Sequence, residues 1–337
     1  MLTNHAKTRE SSLFRLLIVT LAVFLLMGLL NGGRFLSYRN FASMCFQFPE
    51  LGVFSLAIMI SLITGGIDLS LISTANLAGL SAGMVLAPDG ANRTHIGIAI
   101  LLALGVSVLC GGLNGWLIGY LGITPILATL GTMQLFMGIA FVLTKGHAVA
   151  GYPDAFQTLG NGTLLYMPVP LVLFLTCASV LQILLSRTTL GMRLYLMGTN
   201  PTAAVFAGLN VPRLQLKTYV LSALLAGIAG LVVIARTNSA KADYGTSYLL
   251  QAVLVAILAG VDPRGGFGTV WGILLAVLAL QFLSSGLNLL RFQEFAGAYV
   301  NNFTKEFTWG ALLLLVMALR GPYRASARRS RRGSSRP

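Results

Sequence analysis

Apolar runs of membrane-spanning length recur from one end of the chain to the other, separated by short polar stretches. A helix needs about 20 apolar residues to cross a bilayer. On that ruler, spans fall near 13–30, 45–64, 69–87, 96–119, 124–144, 168–185, 216–235, 248–262, 268–290 and 304–320. The eighth run is short, and the second ends at a Gly-Gly pair, Gly65-Gly66. The pattern predicts an all-α, polytopic membrane protein of about ten transmembrane helices. The first run has a basic start, with Lys7 and Arg9 before it and Arg15 in its first turn, as a signal peptide would. It lacks a small-residue cleavage site and is followed by many more spans, so it reads as the first helix. The expected organisation is an N-terminus over 1–12, a membrane domain over 13–320 and a tail over 321–337.

Composition agrees with this pattern. Hydrophobic residues make up 56% of the 337 and charged residues only 9%, against about 25% charged in soluble domains. A net charge of +14 invites a nucleic-acid reading, which the placement of the charge rejects. Seven of the 23 Lys and Arg lie from Arg320 onward, six of them in a Ser-rich stretch, RASARRSRRGSSRP, that reads as disordered and suited to touching anionic lipid. Fifteen of the 23 fall on the side that holds both termini, so the positive-inside rule places both ends in the cytoplasm. Cys45, Cys110 and Cys177 are scattered singly, with no disulfide framework and no metal spacing.

Few polar groups interrupt the spans. Asp68, in ITGGIDLSLIS, stands two residues after Gly65-Gly66 inside an apolar run. A buried carboxylate needs a partner. One account makes it the N-cap of the third span, accepting from the N–H of Leu71 or nearby. The other places it at a discontinuous helix, lining a pathway or gate. Asn76, Asn114, Thr132, Gln134, Gln251, Gln281 and Asn288 are further candidates for an uncharged pathway, each of which an interhelical hydrogen bond would also explain. Small-xxx-small spacings such as Gly79/Gly83 and Gly111/Gly115 predict close helix packing. A faint internal echo pairs the Gly65-Gly66 and Gly265-Gly266 breaks, and pairs Gly-Leu-Asn ending at Asn114 with Gly-Leu-Asn ending at Asn288.

The longest polar connection, 186–215, is the most informative loop. Asn200 is a good N-cap, Pro201 suits the first helical position and Gly208 supplies a stop, so a short Ala-rich helix is predicted over 201–208. Such a helix at the membrane face suits docking into a partner's groove; a plain connector is the alternative.

Four passages together resemble one family. They are ITGGIDLSLIS, LATLGTMQLFMGIAFVLTKG from Leu127, GMRLYLMGTNPTAAVFAGLNV from Gly191, and AILAGVDPRGGFGTVWGILLAVLALQFLSSGLNLL from Ala256. The chain is similar over about 40–320 to the ribose, xylose, arabinose and galactose-type permease subunits of bacterial ABC importers, which include autoinducer-2 permeases. The resemblance implies a permease half in the inner membrane that pairs with a second permease, like or unlike itself. It implies two ATP-binding subunits on the cytoplasmic face and a solute-binding protein on the periplasmic one. ATP and Mg would be held by those partners and no cofactor by this chain. The stretch carrying Gly191, Arg193, Gly198, Asn200, Pro201, Ala203, Ala204 and Gly208 matches the element that meets the ATPase. Met137-Gly138 stands where the sugar branch often has Arg-Gly, and Val261-Asp262-Pro263-Arg264 precedes Gly265 where many members carry small residues. A modified sugar, a polyol or an autoinducer-2-like solute therefore stands beside pentose and hexose.

Two other classes fit less well. A proton- or sodium-coupled carrier acting without an ATPase would need ionisable groups in its spans, and Glu50 and Asp68 are nearly the whole supply. An intramembrane enzyme would need a motif such as HExxH, which is absent, and His5, His95 and His147 fall at loops or the terminus. No GxxxxGK[ST] phosphate loop occurs either, so any ATP is hydrolysed on another chain.

Overall fold

The computed structural model describes residues 2–86 and 93–289. Its helices are α1 Leu2–Asn31, α2 Tyr38–Ile63, α3 Leu71–Leu86, α4 Arg93–Gly119, α5 Pro125–Thr144, α6 Asp154–Asn161, α7 Val169–Arg187, α8 Thr189–Thr199, α9 Pro201–Phe206, α10 Val211–Thr237, α11 Ser247–Leu258 and α12 Val270–Leu289. Two small antiparallel pairs, β1 Val149–Ala150 with β4 Ser239–Ala240 and β2 Thr163–Leu164 with β3 Met167–Pro168, tie loops at one end of the bundle.

Among the described residues, seven helices are long and apolar enough to cross a membrane. Each of the first nine predicted spans coincides with a helix, but α3 and α11, with 16 and 12 residues, are shorter than a full crossing. The tenth predicted span, at 304–320, and the tail lie outside the described residues.

Local chemistry sets many boundaries. Ser37 caps α2 by accepting from Asn40 N–H at 3.3 Å. Pro125 and Pro212 stand in the first turns of α5 and α10, where no intrahelical donor is lost. Lys145 and Asn238 close α5 and α10 in the left-handed region.

The long α10 is the axis of the bundle. It packs against α4, α3 and α2, and α6 lies across its far end. The α4 contact is the one anticipated from glycine spacing. A Cβ at Gly111, Gly115 or Gly119 would strike the α10 backbone at Tyr219, Leu216 and Pro212 respectively, so the two helices meet backbone to backbone. At the α3 crossing the tight position is Gly230 of α10, where a Cβ would strike the Ala75 backbone, while Gly79 faces the Ile234 side chain and Gly83 faces Tyr152. α2 also contacts α7, α11 and α12. α2 is the most deeply enclosed helix, with every residue from Phe48 to Ile63 buried.

Candidate functional site

At the end of the bundle that carries α8 and α9, two chain breaks meet. The segment 64–70 links α2 to α3, and the segment 259–269 links α11 to α12. Gly65, Gly265 and Gly266 adopt φ of 83°, 91° and 78°, a region open to glycine and costly for other residues. Gly266 N–H donates to Ile63 O at 2.7 Å, joining the two breaks directly. Gly198, near the end of α8, closes the junction: a Cβ there would fall on the Ile63 carbonyl oxygen and the Gly266 nitrogen. Tyr195 of the same helix donates to Gly268 O at 2.7 Å. The Gly-Gly echo in the sequence is therefore a physical contact, wedged by α8.

Seven residues along, the first break ends in a buried polar relay. Thr132 Oγ1 of α5 donates to Asn114 Oδ1 of α4 at 2.6 Å. Asn114 Nδ2 donates to Ser70 Oγ at 2.7 Å, and Ser70 Oγ donates to Asp68 Oδ1 at 2.7 Å. Ser70 N–H also reaches Asp68 Oδ1, at 3.0 Å. All four residues are buried, Asp68 to 1% exposure. The donors run in one direction, hydroxyl to amide to hydroxyl to carboxylate, and both Ser70 donors converge on Asp68 Oδ1; the Thr132 hydroxyl also lies 3.3 Å from Thr129 O.

This corrects the N-cap account of Asp68. α3 starts at Leu71, and Thr74 N–H bonds to Ser70 O at 2.8 Å, which puts Ser70 at the cap position. Asp68 stands two residues earlier and holds Ser70 in place through an Asx-type turn. Beside it, Gly66 packs under Tyr219 and Pro125, and a Cβ there would meet the Tyr219 hydroxyl.

The α8–α9 element is built as its residue types dictate. Thr188 Oγ1 accepts from Gly191 N–H at 3.3 Å and starts α8, a helix that the sequence pattern does not announce. Gly191 lets α8 press onto the Leu184 and Leu185 carbonyls at the end of α7. Asn200 Oδ1 accepts from Ala203 N–H at 3.0 Å, Pro201 opens α9, and Ala204 is its buried contact. α9 ends at Phe206, two residues before Gly208, whose φ of 75° turns the chain away. Arg193, Ala203, Val205 and Phe206 point outward, Phe206 with 88% of its surface free.

The remaining sequence candidates lie elsewhere. Asn76 donates to Ala242 O at 3.0 Å and Tyr244 O at 2.9 Å, fastening the loop after α10 at the opposite end of the bundle. Gln134 faces outward on α5, on a different side from Thr132. Gln251 and Gln281 are half-buried, and Asn288 is exposed in the last turn of α12. Asn114 and Asn288, equivalent in the echo, thus have unlike surroundings. Of the proposed pathway residues, Asp68, Asn114 and Thr132 come together, joined through Ser70.

Sequence reasoning left one ionic site without a role. Glu50, buried just after Pro49 in α2, pairs with Arg236 of α10 at 2.7 Å. Tyr248 of α11 donates to the other Glu50 oxygen at 3.3 Å, so the acid ties three helices together. The spacing of Glu50 and Arg236 in sequence carries no signal of this. Nearby, Tyr152 donates to Val149 O at 2.7 Å, and burial pushes its hydroxyl pKa well above the ordinary value, which keeps it a donor.

Comparison with known proteins agrees with this architecture. A solved ABC transporter of metal-chelate type, in an inward-facing conformation, superposes with a TM-score of 0.53 at 16% identity. The match covers 90% of this chain and 99% of that one and reports the fold alone. An autoinducer 2 import system permease protein LsrD from Yersinia enterocolitica is 33% identical over 314 residues, 91% of this chain and 90% of the relative. Its counterpart from Photorhabdus temperata is 34% identical over 283 residues, covering 82% and 84%. That from Escherichia coli K12 is 32% identical over 314 residues, covering 91% and 90%. Residues 40–317 match the family described as the permease component of the branched-chain amino acid transport system, and the chain belongs to this family of ABC importer permeases.

Proposed function

We propose that the chain is the membrane subunit of an ATP-driven importer for a sugar or sugar-like solute, working by alternating access. Pentoses, hexoses, polyols and the autoinducer-2 class are the solutes to try. The relatives named for autoinducer 2 import put that class first. ATP and Mg bind on two partner ATPase subunits, a second permease completes the pathway, and a periplasmic solute-binding protein delivers the solute. Both termini and α8–α9 face the cytoplasm in this reading. No catalytic residue belongs to this chain.

One observation carries the reading: α8 is wedged into both chain breaks through Gly198, while α9 beside it presents bare apolar side chains, Val205 and Phe206. A helix that is free on one side and bonded to the transmembrane breaks on the other suits passing a partner's movement inward. Asp68 then acts by position, holding the start of α3 to α4 and α5, rather than as a proton carrier.

Gentle purification of the tagged chain from native membranes, followed by mass spectrometry, tests this. A stoichiometric ATP-binding subunit that is lost in Phe206→Asp, with membrane levels unchanged, is the expected result. Purification of the chain alone, with ATP-independent solute uptake in liposomes, would overturn the reading in favour of a secondary carrier.

A further inference from the structure

The β2–β3 hairpin carries a conformational cost that no contact within the described residues offsets. Thr163 pairs with Pro168 and Leu164 with Met167, leaving Leu165 and Tyr166 as a two-residue turn. Their φ values are 50° and 65°, the left-handed pair that a type I′ turn demands and that Asn-Gly normally supplies. A full side chain in that region costs about 1–2 kcal/mol per residue. Neither side chain is packed: Leu165 is 88% and Tyr166 100% exposed, with Leu164 and Met167 more than half exposed. Any offsetting contact lies outside these residues.

The position of the turn identifies that contact. Val169 N–H donates to Gly162 O at 3.0 Å, so the hairpin closes directly onto the first residue of α7. α7 has 19 residues, about 28 Å at 1.5 Å per residue, against a hydrocarbon thickness of about 30 Å. Its one charge, Arg187, stands at the far end. α7 has no length to spare, so Val169 sits at the edge of the hydrocarbon. Tyr166 is three residues from Val169, at most about 10 Å, so a hairpin that leans along the bilayer surface holds the turn within the headgroup layer, about 5–7 Å deep. The base cannot lift off, because Gly160 of α6 is pressed onto the backbone of Arg236. The stretch NGTLLYMPVP, 161–170, carries no charge. Tyrosine with leucine is the composition of a membrane–water boundary, apolar on one side and wet on the other.

We propose that Leu165 and Tyr166 form an interfacial anchor that inserts into the headgroup–acyl boundary of the leaflet at this end of α7. The anchor fixes the α6–α7 corner, and through Gly160 the end of α10, against the bilayer while the opposite end of the bundle moves. Lipid is the occupant, and the favoured depth offsets the strained turn.

The test places Tyr166→Trp in the full chain in lipid nanodiscs, with the wild type measured alongside to subtract its three tryptophans. The added emission should be blue-shifted, and quenched when the lipid acyl chains are brominated. Solvent-like emission that bromine leaves unchanged overturns the proposal. A shift that occurs only on adding a periplasmic solute-binding protein also overturns it, in favour of protein docking. Leu165→Trp repeats the measurement if the first variant does not accumulate.

Discussion

Gly198→Ala puts a methyl group where the Ile63 carbonyl oxygen and the Gly266 N–H already meet. Both obstacles are backbone, and they are partners in a 2.7 Å hydrogen bond, so neither can swing aside as a side-chain tip would. α8 has little room to withdraw, because Tyr195 holds Gly268 O at 2.7 Å and Gly191 is seated on the end of α7. Overpacking of this kind costs about 1–3 kcal/mol, and loss of the hydrogen bond adds about 1 kcal/mol. Alanine returns up to about 1 kcal/mol of helix propensity. The net effect is a shift of about 1–3 kcal/mol in the seating of α8, roughly 5- to 150-fold in an equilibrium. The assay is uptake and ATP hydrolysis measured together in liposomes holding the permease, its ATPase and its solute-binding protein. The α9 tip is untouched, so assembly should survive while solute moved per ATP falls by about 5- to 150-fold. Gly105→Ala is the matched control: a Cβ there meets nothing within 4 Å, and the change should be neutral or slightly stabilising. Wild-type uptake per ATP in Gly198→Ala, at equal membrane levels, would refute the role given to the junction.

Three further outcomes follow from the buried polar groups. Asp68→Asn keeps an acceptor for Ser70 and should retain the fold, whereas Asp68→Ala strips two donors of their acceptor; about 2–3 kcal/mol of stability should go, seen as a lower melting temperature of the purified protein. Glu50→Gln leaves Arg236 facing a neutral partner. Arg236 keeps 27% of its side chain exposed, so the loss should be about 2 kcal/mol, below the full buried-pair penalty. Glu50→Leu combined with Arg236→Met should recover most of it, and a double-mutant melting series that shows simple additivity would contradict a direct pair. Tyr219 is buried and its hydroxyl has no hydrogen-bond partner among the described residues; Tyr219→Phe should therefore be neutral or stabilising by up to about 1 kcal/mol in the same melting assay.

The architecture was legible because a bilayer imposes one ruler on every span, and apolar runs of the right length report it. The α9 helix was equally legible, since Asn200, Pro201 and Gly208 each act within a few residues of their own position. The relay was legible in part. Asp-Leu-Ser at 68–70 is a local turn signal, but nothing in sequence brings Asn114 or Thr132 to it, because that depends on where α4 and α5 sit. Gln134, two residues from Thr132, was an equal candidate by sequence. A helix turns about 100° per residue, so the two point about 200° apart, and only Thr132 faces the bundle. Glu50 and Arg236 were invisible as a pair for the same reason: 186 positions of chain separate them, and only the crossing of α2 with α10 brings them together.

The break at 64–70 joins what the two motifs do separately. Gly266 and Gly198 clamp Ile63 where the chain enters it, Gly65 lies against Gly265, and its last residues are held by Asn114 and, through it, Thr132. Seven residues thus connect α8 to α4 and α5 with backbone contact at one end and direct hydrogen bonds at the other. Neither end has slack: the glycines admit no methyl group, and the relay has a donor for each acceptor it uses. Closely packed, fully bonded links of this kind change arrangement in steps rather than by stretching. A displacement of α8 must therefore either rotate the start of α3 together with α4 and α5, or break the relay at Ser70. Removing the Asn114 link with Asn114→Leu distinguishes the two. If α3 moves as one body with α4 and α5, the variant should uncouple ATP hydrolysis from uptake as Gly198→Ala does; if the relay opens in each cycle, the variant should instead transport at wild-type stoichiometry.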